Sequence, residues 1–175
     1  DSLEQIQAMQ VIVDKTLPKV PNNVDYFGEQ FIVNETGEFV RRKEVLLINS
    51  TRLSYEEAFQ AVTDLGGLFI PAHVDRQAFG LIYRLGFVPP APHPDALEIS
   101  RHISPEDAVQ KYPQLAEFPL IQSGDVHFLD DFLGSNHFLM EMPTIAEIKM
   151  ALKRQNGRNF TLTNRNCRFS TFYVT

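Results

Sequence analysis

Asp125 and His127 are the residues whose types and spacing most directly suggest chemistry. They close the segment Leu120-Ile121-Gln122-Ser123-Gly124-Asp125-Val126-His127, in which a short apolar strand runs into an Asp-x-His pair. Strand side chains alternate in direction, so the pair is expected to point one way at the strand's carboxyl end. That end is where β/α folds place their chemistry. Earlier in the chain, Gly66-Gly67-Leu68-Phe69-Ile70-Pro71-Ala72-His73-Val74-Asp75-Arg76 reads as a second buried-type strand with His73 at its exit. Three donors from two strand ends make half of a metal site. Imidazole and carboxylate suit zinc, manganese or iron, and water held by such an ion loses a proton near neutral pH and can attack phosphorus. Spacing alone leaves plainer readings open: a helix-capping aspartate beside an incidental histidine, and, for His73, a satisfied core histidine.

The elements that would position these donors read as follows. Leu3, Ile6, Met9 or Gln10, Val13 and Leu17 keep helical spacing until Pro18. Residues 18–50 form an excursion rather than a β/α repeat. Within it, 30–34 and 39–42 make a small β-hairpin around Glu35-Thr36-Gly37-Glu38, whose two glutamates are expected to be only solvated charges. Ser54 and Glu57 form a capping box for a helix with Ala58, Ala61, Val62 and Leu65 on its apolar face, ended by Gly66-Gly67. Residues 68–71 are a strand of the kind buried on both faces. A short helix over 76–84 is stopped by Gly86, and a proline-rich loop leads to a strand over 96–99. Ser104 with Asp107 caps the next helix. Residues 128–133 turn, 138–142 form a strand, and Thr144 caps a helix ending at Asn156-Gly157. The alternation from 54 to 155 defines an α/β class without choosing a barrel over an open sheet.

The chain resembles the carboxyl-terminal part of a PHP domain, the polymerase and histidinol phosphatase family of metal-dependent phosphoesterases. Ile70-Pro71-Ala72-His73-Val74-Asp75-Arg76 looks like the family's third motif and Ser123-Gly124-Asp125-Val126-His127 like its fourth. Phe27-Gly28-Glu29-Gln30, Leu85-Gly86-Phe87-Val88-Pro89-Pro90 and Asp95-Ala96-Leu97-Glu98-Ile99-Ser100 extend the match over residues 18–158. The family fold is a distorted seven-stranded β/α barrel, so the resemblance implies its carboxyl-terminal portion, with a hairpin insertion at 18–50, over a domain of 1–158, and an extended tail at 159–175. It implies two or three divalent metals in the complete site, with His73, Asp125 and His127 as ligands. The family's opening His-x-His and its second Asp-His motif are absent, and the chain starts too late to contain them. Arg76 is then a fork for a substrate phosphate, Asp75 a support for His73 or Arg76, and Glu98 a supporting residue at the barrel mouth. The implied activity is phosphoester hydrolysis on a small phosphorylated substrate. The alternative is a catalytically silent fragment acting as a structural or interaction subunit.

Composition narrows the setting. With 175 residues, 43% of them hydrophobic, the chain has material for one domain with a sizeable core. A net charge of -6 weighs against a nucleic-acid surface, which normally carries a basic stripe. The single cysteine, Cys167, excludes an internal disulfide and, with no signal peptide at the start, points to the cytoplasm; Cys167 itself reads as packing. No apolar run is long enough for a membrane span. His93, His102 and His137 read as surface residues, and Asp130 and Asp131 as stabilisers of the loop after the fourth motif. Barrel strands missing from the chain would leave apolar edges, so an oligomer or a companion amino-terminal segment is expected.

Overall fold

Ser2 starts the computed structural model's first helix, α1 (Leu3–Thr16), through a reciprocal capping box with Gln5. The structure describes residues 1–163. Backbone contacts divide it into two compact units, Ser2–Ala61 and a unit running from Val62 together with Asp1.

In the first unit α1 buries no residue along its length, with Leu3 and Ile6 exposed, while Leu17 just beyond it is buried. A single turn, α2 (Val24–Phe27), precedes the expected hairpin, in which β1 (Phe31–Val33) pairs antiparallel with β2 (Phe39–Arg42). Asn34 builds its turn: the side-chain oxygen accepts from Thr36 N and Glu38 N, at 3.0 and 2.8 Å. Glu38 is not merely solvated. Its carboxylate accepts from Asn34 and Thr36, and these bonds hold its pKa below the usual carboxylate range. Helix α3 (Tyr55–Asp64) begins in this unit behind the Ser54–Glu57 box and ends in the next.

In the second unit the segment expected as a strand over 68–71 is extended but makes no regular ladder. Phe69 O accepts from Asp95 N, Pro71 O from Glu98 N, and Glu98 O receives Val74 N. The reason is a shortage of ladder donors: Pro71 has no N–H, and Phe69 N is taken by the Asp95 carboxylate. The helix expected over 76–84 shortens to α4 (Leu81–Leu85), because residues 73–80 fold into a turn so tight that a Cβ on Gly80 would meet Arg76 O. Gly86, at φ +82°, ends α4 as expected.

Strand β3 (Leu97–Ile99) is followed by α5 (Pro105–Lys111), capped by Ser104, and then by β4 (Leu120–Gln122), which pairs in parallel with β3. This β-α-β passage is the framework of the unit. Leu97, Ile99 and Leu120 bury one face against Ala108 of α5 and Ile82 of α4. On the other face Ala96, just before β3, and Ile121 of β4 pack with Ala151, Leu152 and Phe160. Both faces are therefore covered, as the apolar strand runs require. The strand expected at 138–142 lies earlier, as β5 (Asn136–Leu139), since the Asn136 side chain bonds both Gln122 N and Gln122 O and fixes β5 against β4. After α6 (Ile145–Leu152), capped by Thr144, the first residues of the stretch expected as an extended tail form β6 (Asn159–Leu162), paired antiparallel with β5 and burying Phe160. The later tail residues, Cys167 included, lie outside the described residues. Among the described residues the fold is mixed α/β, with three two-stranded sheets and no closed barrel. No helix among them is long and apolar enough to cross a membrane.

Candidate metal centre

The carboxyl ends of β3 and β4, with the turn after residue 71, bound a cleft of about 130 Å³. His73, Arg76, Glu98 and Asp125 line it, together with Ser100, Arg101, His102, Ser123 and Gly124. Two loops expected to act together therefore do meet.

His73 adopts φ +32° and Asp125 φ +50°. Non-glycine residues hold this left-handed region only when their surroundings impose it. Nδ1 of His73 lies 3.7 Å from Glu98 Oε1, with both side chains mostly buried, so the two groups face each other across the cleft wall. Asp125 Oδ2 accepts from Arg76 Nη1 at 2.5 Å. That bond is the main reason the Asp125 carboxyl titrates below the usual range, and the nearby charges of His73, Arg76 and His127 act in the same direction.

The relation between Asp125 and His127 differs from the expected one. Strand β4 ends at Gln122, and the left-handed turn at Asp125 breaks the alternation that would have made the two side chains parallel. Instead His127 Nδ1 lies 2.7 Å from Asp125 O. A carbonyl only accepts, so Nδ1 carries the hydrogen, and in the neutral ring the lone pair then sits on Nε2. His127 is exposed and is not among the cleft's lining residues. Among the described residues no three His, Cys, Asp or Glu side chains form a ready-made ion site.

Asp75 serves a different partner from the one expected. Its two oxygens accept from Ser100 N at 2.7 Å and Ser100 Oγ at 2.6 Å, because Ser100, just past β3, is buried and its N–H needs an acceptor. Asp131 does stabilise its loop: it accepts from His127 N and Phe128 N, which lower its pKa, and pairs with Arg101. His137 is exposed with Nε2 on Thr163, and His93 is exposed and stacked on Phe118. His102, read as surface, is exposed yet lines the cleft. Ser100, Arg101, Gln122 and Asn136 went unnoticed as supports. Gln122 Nε2 donates to Ser100 O and Ile103 O, tying the exits of β3 and β4 together. Their only sequence signal is position, directly at strand exits.

An α/β unit with a donor-lined cleft at the carboxyl ends of parallel strands is the class these features define. The solved structure of the lesion-specific endonuclease PfuEndoQ from Pyrococcus furiosus is similar over 91% of this chain, with a TM-score of 0.61 and 19% sequence identity. At that identity the likeness is one of fold. This chain spans 35% of that enzyme's length. No family model matches the chain, and no curated protein matches it.

Proposed function

We propose that the chain is the carboxyl-terminal part of a PHP-type phosphoester hydrolase and supplies part of its metal site. The observation that carries this reading is the convergence of His73, Glu98, Asp125 and Arg76 on one cleft at strand ends. Imidazole and carboxylate donors suit a divalent transition metal. His73 and Asp125 would hold it, with His127 joining from the Asp125 loop through the Nε2 lone pair that its carbonyl bond leaves available. A divalent ion bound there supplies Lewis-acid activation of water and neutralises phosphate charge.

The chain's own residues do the rest. Glu98 orients His73, as carboxylates do for ligating histidines. Arg76 holds the Asp125 carboxylate and presents a planar guanidinium at the cleft, suited to a phosphate. The remaining ligands come from an amino-terminal segment or a partner chain, in keeping with a chain that spans about a third of the matched structure.

A net charge of -6 favours a small phosphorylated substrate. The likeness to a lesion-specific endonuclease favours nucleic acid instead, so a phosphomonoester and an oligonucleotide should be assayed side by side. The decisive experiment is metal content per chain by mass spectrometry after loading with zinc or manganese, for the wild type and the double variant His73→Ala with Asp125→Ala. Metal retained by the wild type and lost from the variant is expected. Equal metal in both, or none in either, would overturn the reading and favour the structural-subunit alternative.

A further inference from the structure

Arg101 is the least expected residue of the cleft. Its Nε and Nη2 donate to Gly124 O at 3.1 and 2.5 Å, and Nη2 also reaches Asp131 O at 3.3 Å and Asp131 Oδ1 at 3.2 Å. One guanidinium thus fastens both ends of the loop that carries Asp125 and His127. The ends are close enough that a Cβ on Gly124 would meet Asp131 O at 2.1 Å. Inside the closed loop, Asp131 Oδ2 accepts from His127 N and Phe128 N at 3.3 and 3.2 Å. The preceding residue, Ser100, is held by both oxygens of Asp75, two residues beyond His73. From one two-residue strand exit, ties run to both donor-bearing loops.

We propose that Arg101 is a positioning residue that, with Ser100, sets the placement of Asp125 and His127 relative to His73; this rests on the metal-site reading above. Asp125 stands in a left-handed conformation that needs outside support, and the clasp supplies it. A guanidinium suits the task because its planar fork reaches two acceptors at fixed angles, whereas a lysine offers a single flexible point charge.

Amide hydrogen exchange without metal, and zinc titration by calorimetry, test this on the whole chain as wild type, Arg101→Met, Arg101→Lys and Asp125→Asn. In Arg101→Met, exchange at His127 and Phe128 is expected to rise at least about tenfold and zinc affinity to fall about 10- to 100-fold, the range seen when supports of metal ligands are removed. Arg101→Lys is expected to fall between the wild type and Arg101→Met in both. Unchanged exchange in Arg101→Met, or raised exchange with unchanged zinc affinity, would overturn the proposal. If Arg101→Met loses its far-UV circular dichroism, Arg101→Lys decides: intermediate values support the clasp, and wild-type values in both measurements reject it. Asp125→Asn separates the two claims. Zinc binding equal to wild type in that variant means the metal-site reading itself has failed, whereas zinc lost from Asp125→Asn but kept by Arg101→Met means that only the clasp has.

Discussion

At the scale of single residues, two glycines make contrasting predictions. Gly124 has Asp131 O and Arg101 Nη2 where a Cβ would go, at 2.1 and 2.7 Å, so Gly124→Ala is expected to open the loop and lower metal affinity at least tenfold by calorimetry, the loss expected when a ligand's support is removed. Gly134, at φ +61° with nothing within 4 Å, is constrained only by its backbone. Gly134→Ala should cost about 1–2 kcal/mol in chemical denaturation, with metal binding unchanged. That His73, Arg76, Glu98 and Asp125 lie at one cleft was legible from the sequence because donor type and strand-end position are local properties. Arg101 was not, since three of its four bonds go to main-chain carbonyls, which leave no trace in residue type, and its one carboxylate partner, Asp131, lies 30 residues away. Nor was the turn at Asp125, where a positive φ on a non-glycine residue is imposed from outside the segment.

At the scale of elements, caps were the most readable feature. Ser54 with Glu57, Ser104 with Asp107, and Thr144 all start helices where side-chain oxygens meet free amides. Strand limits were less readable, because Asn136 and Asp95 redirect backbone pairing through side-chain bonds that no periodicity encodes. Helix α6 and the residue just before β6 are joined by a two-pronged pair, Arg158 Nε and Nη2 on Glu147 Oε2 and Oε1 at 2.8 and 3.0 Å. The Arg158 bond is the first cause of a lowered Glu147 pKa, followed by the bond from Glu141 N. A carboxyl whose pKa is depressed by folding stabilises the protein above its unfolded pKa, and loses that contribution as pH falls through the folded value. The melting-temperature gap between wild type and Glu147→Gln should therefore be full near neutral pH and close as pH drops below about 4. A gap that widens in acid would contradict this.

At the scale of the molecule, the two units differ in how much they bury. Among the described residues of the first, the buried hydrophobics are Leu17 and Leu46, each still 6% exposed, while the second encloses Val74, Leu97, Ile99 and Leu115 at 0% exposure. Native-state hydrogen exchange should accordingly find the amides of β3 and β4 far better protected than those of α1 and the hairpin. Leu97→Ala, in the framework both core clusters flank, is expected to cost about 2–5 kcal/mol in denaturant unfolding. The β-α-β framework was legible because apolar runs and caps both indicate it; the division into units was not, since it depends on contacts between distant segments. The clasp has a last consequence, for variation. Arg101 grips its loop largely by main-chain oxygens, which every residue possesses, and the remaining grip lies at the loop's final position, Asp131. The intervening side chains, Val126, Phe128 and Leu129 among them, are exposed and take no part in closure. Substitutions at these exposed positions are thus expected to leave the loop's shape intact, provided that Arg101 and Asp131 are kept.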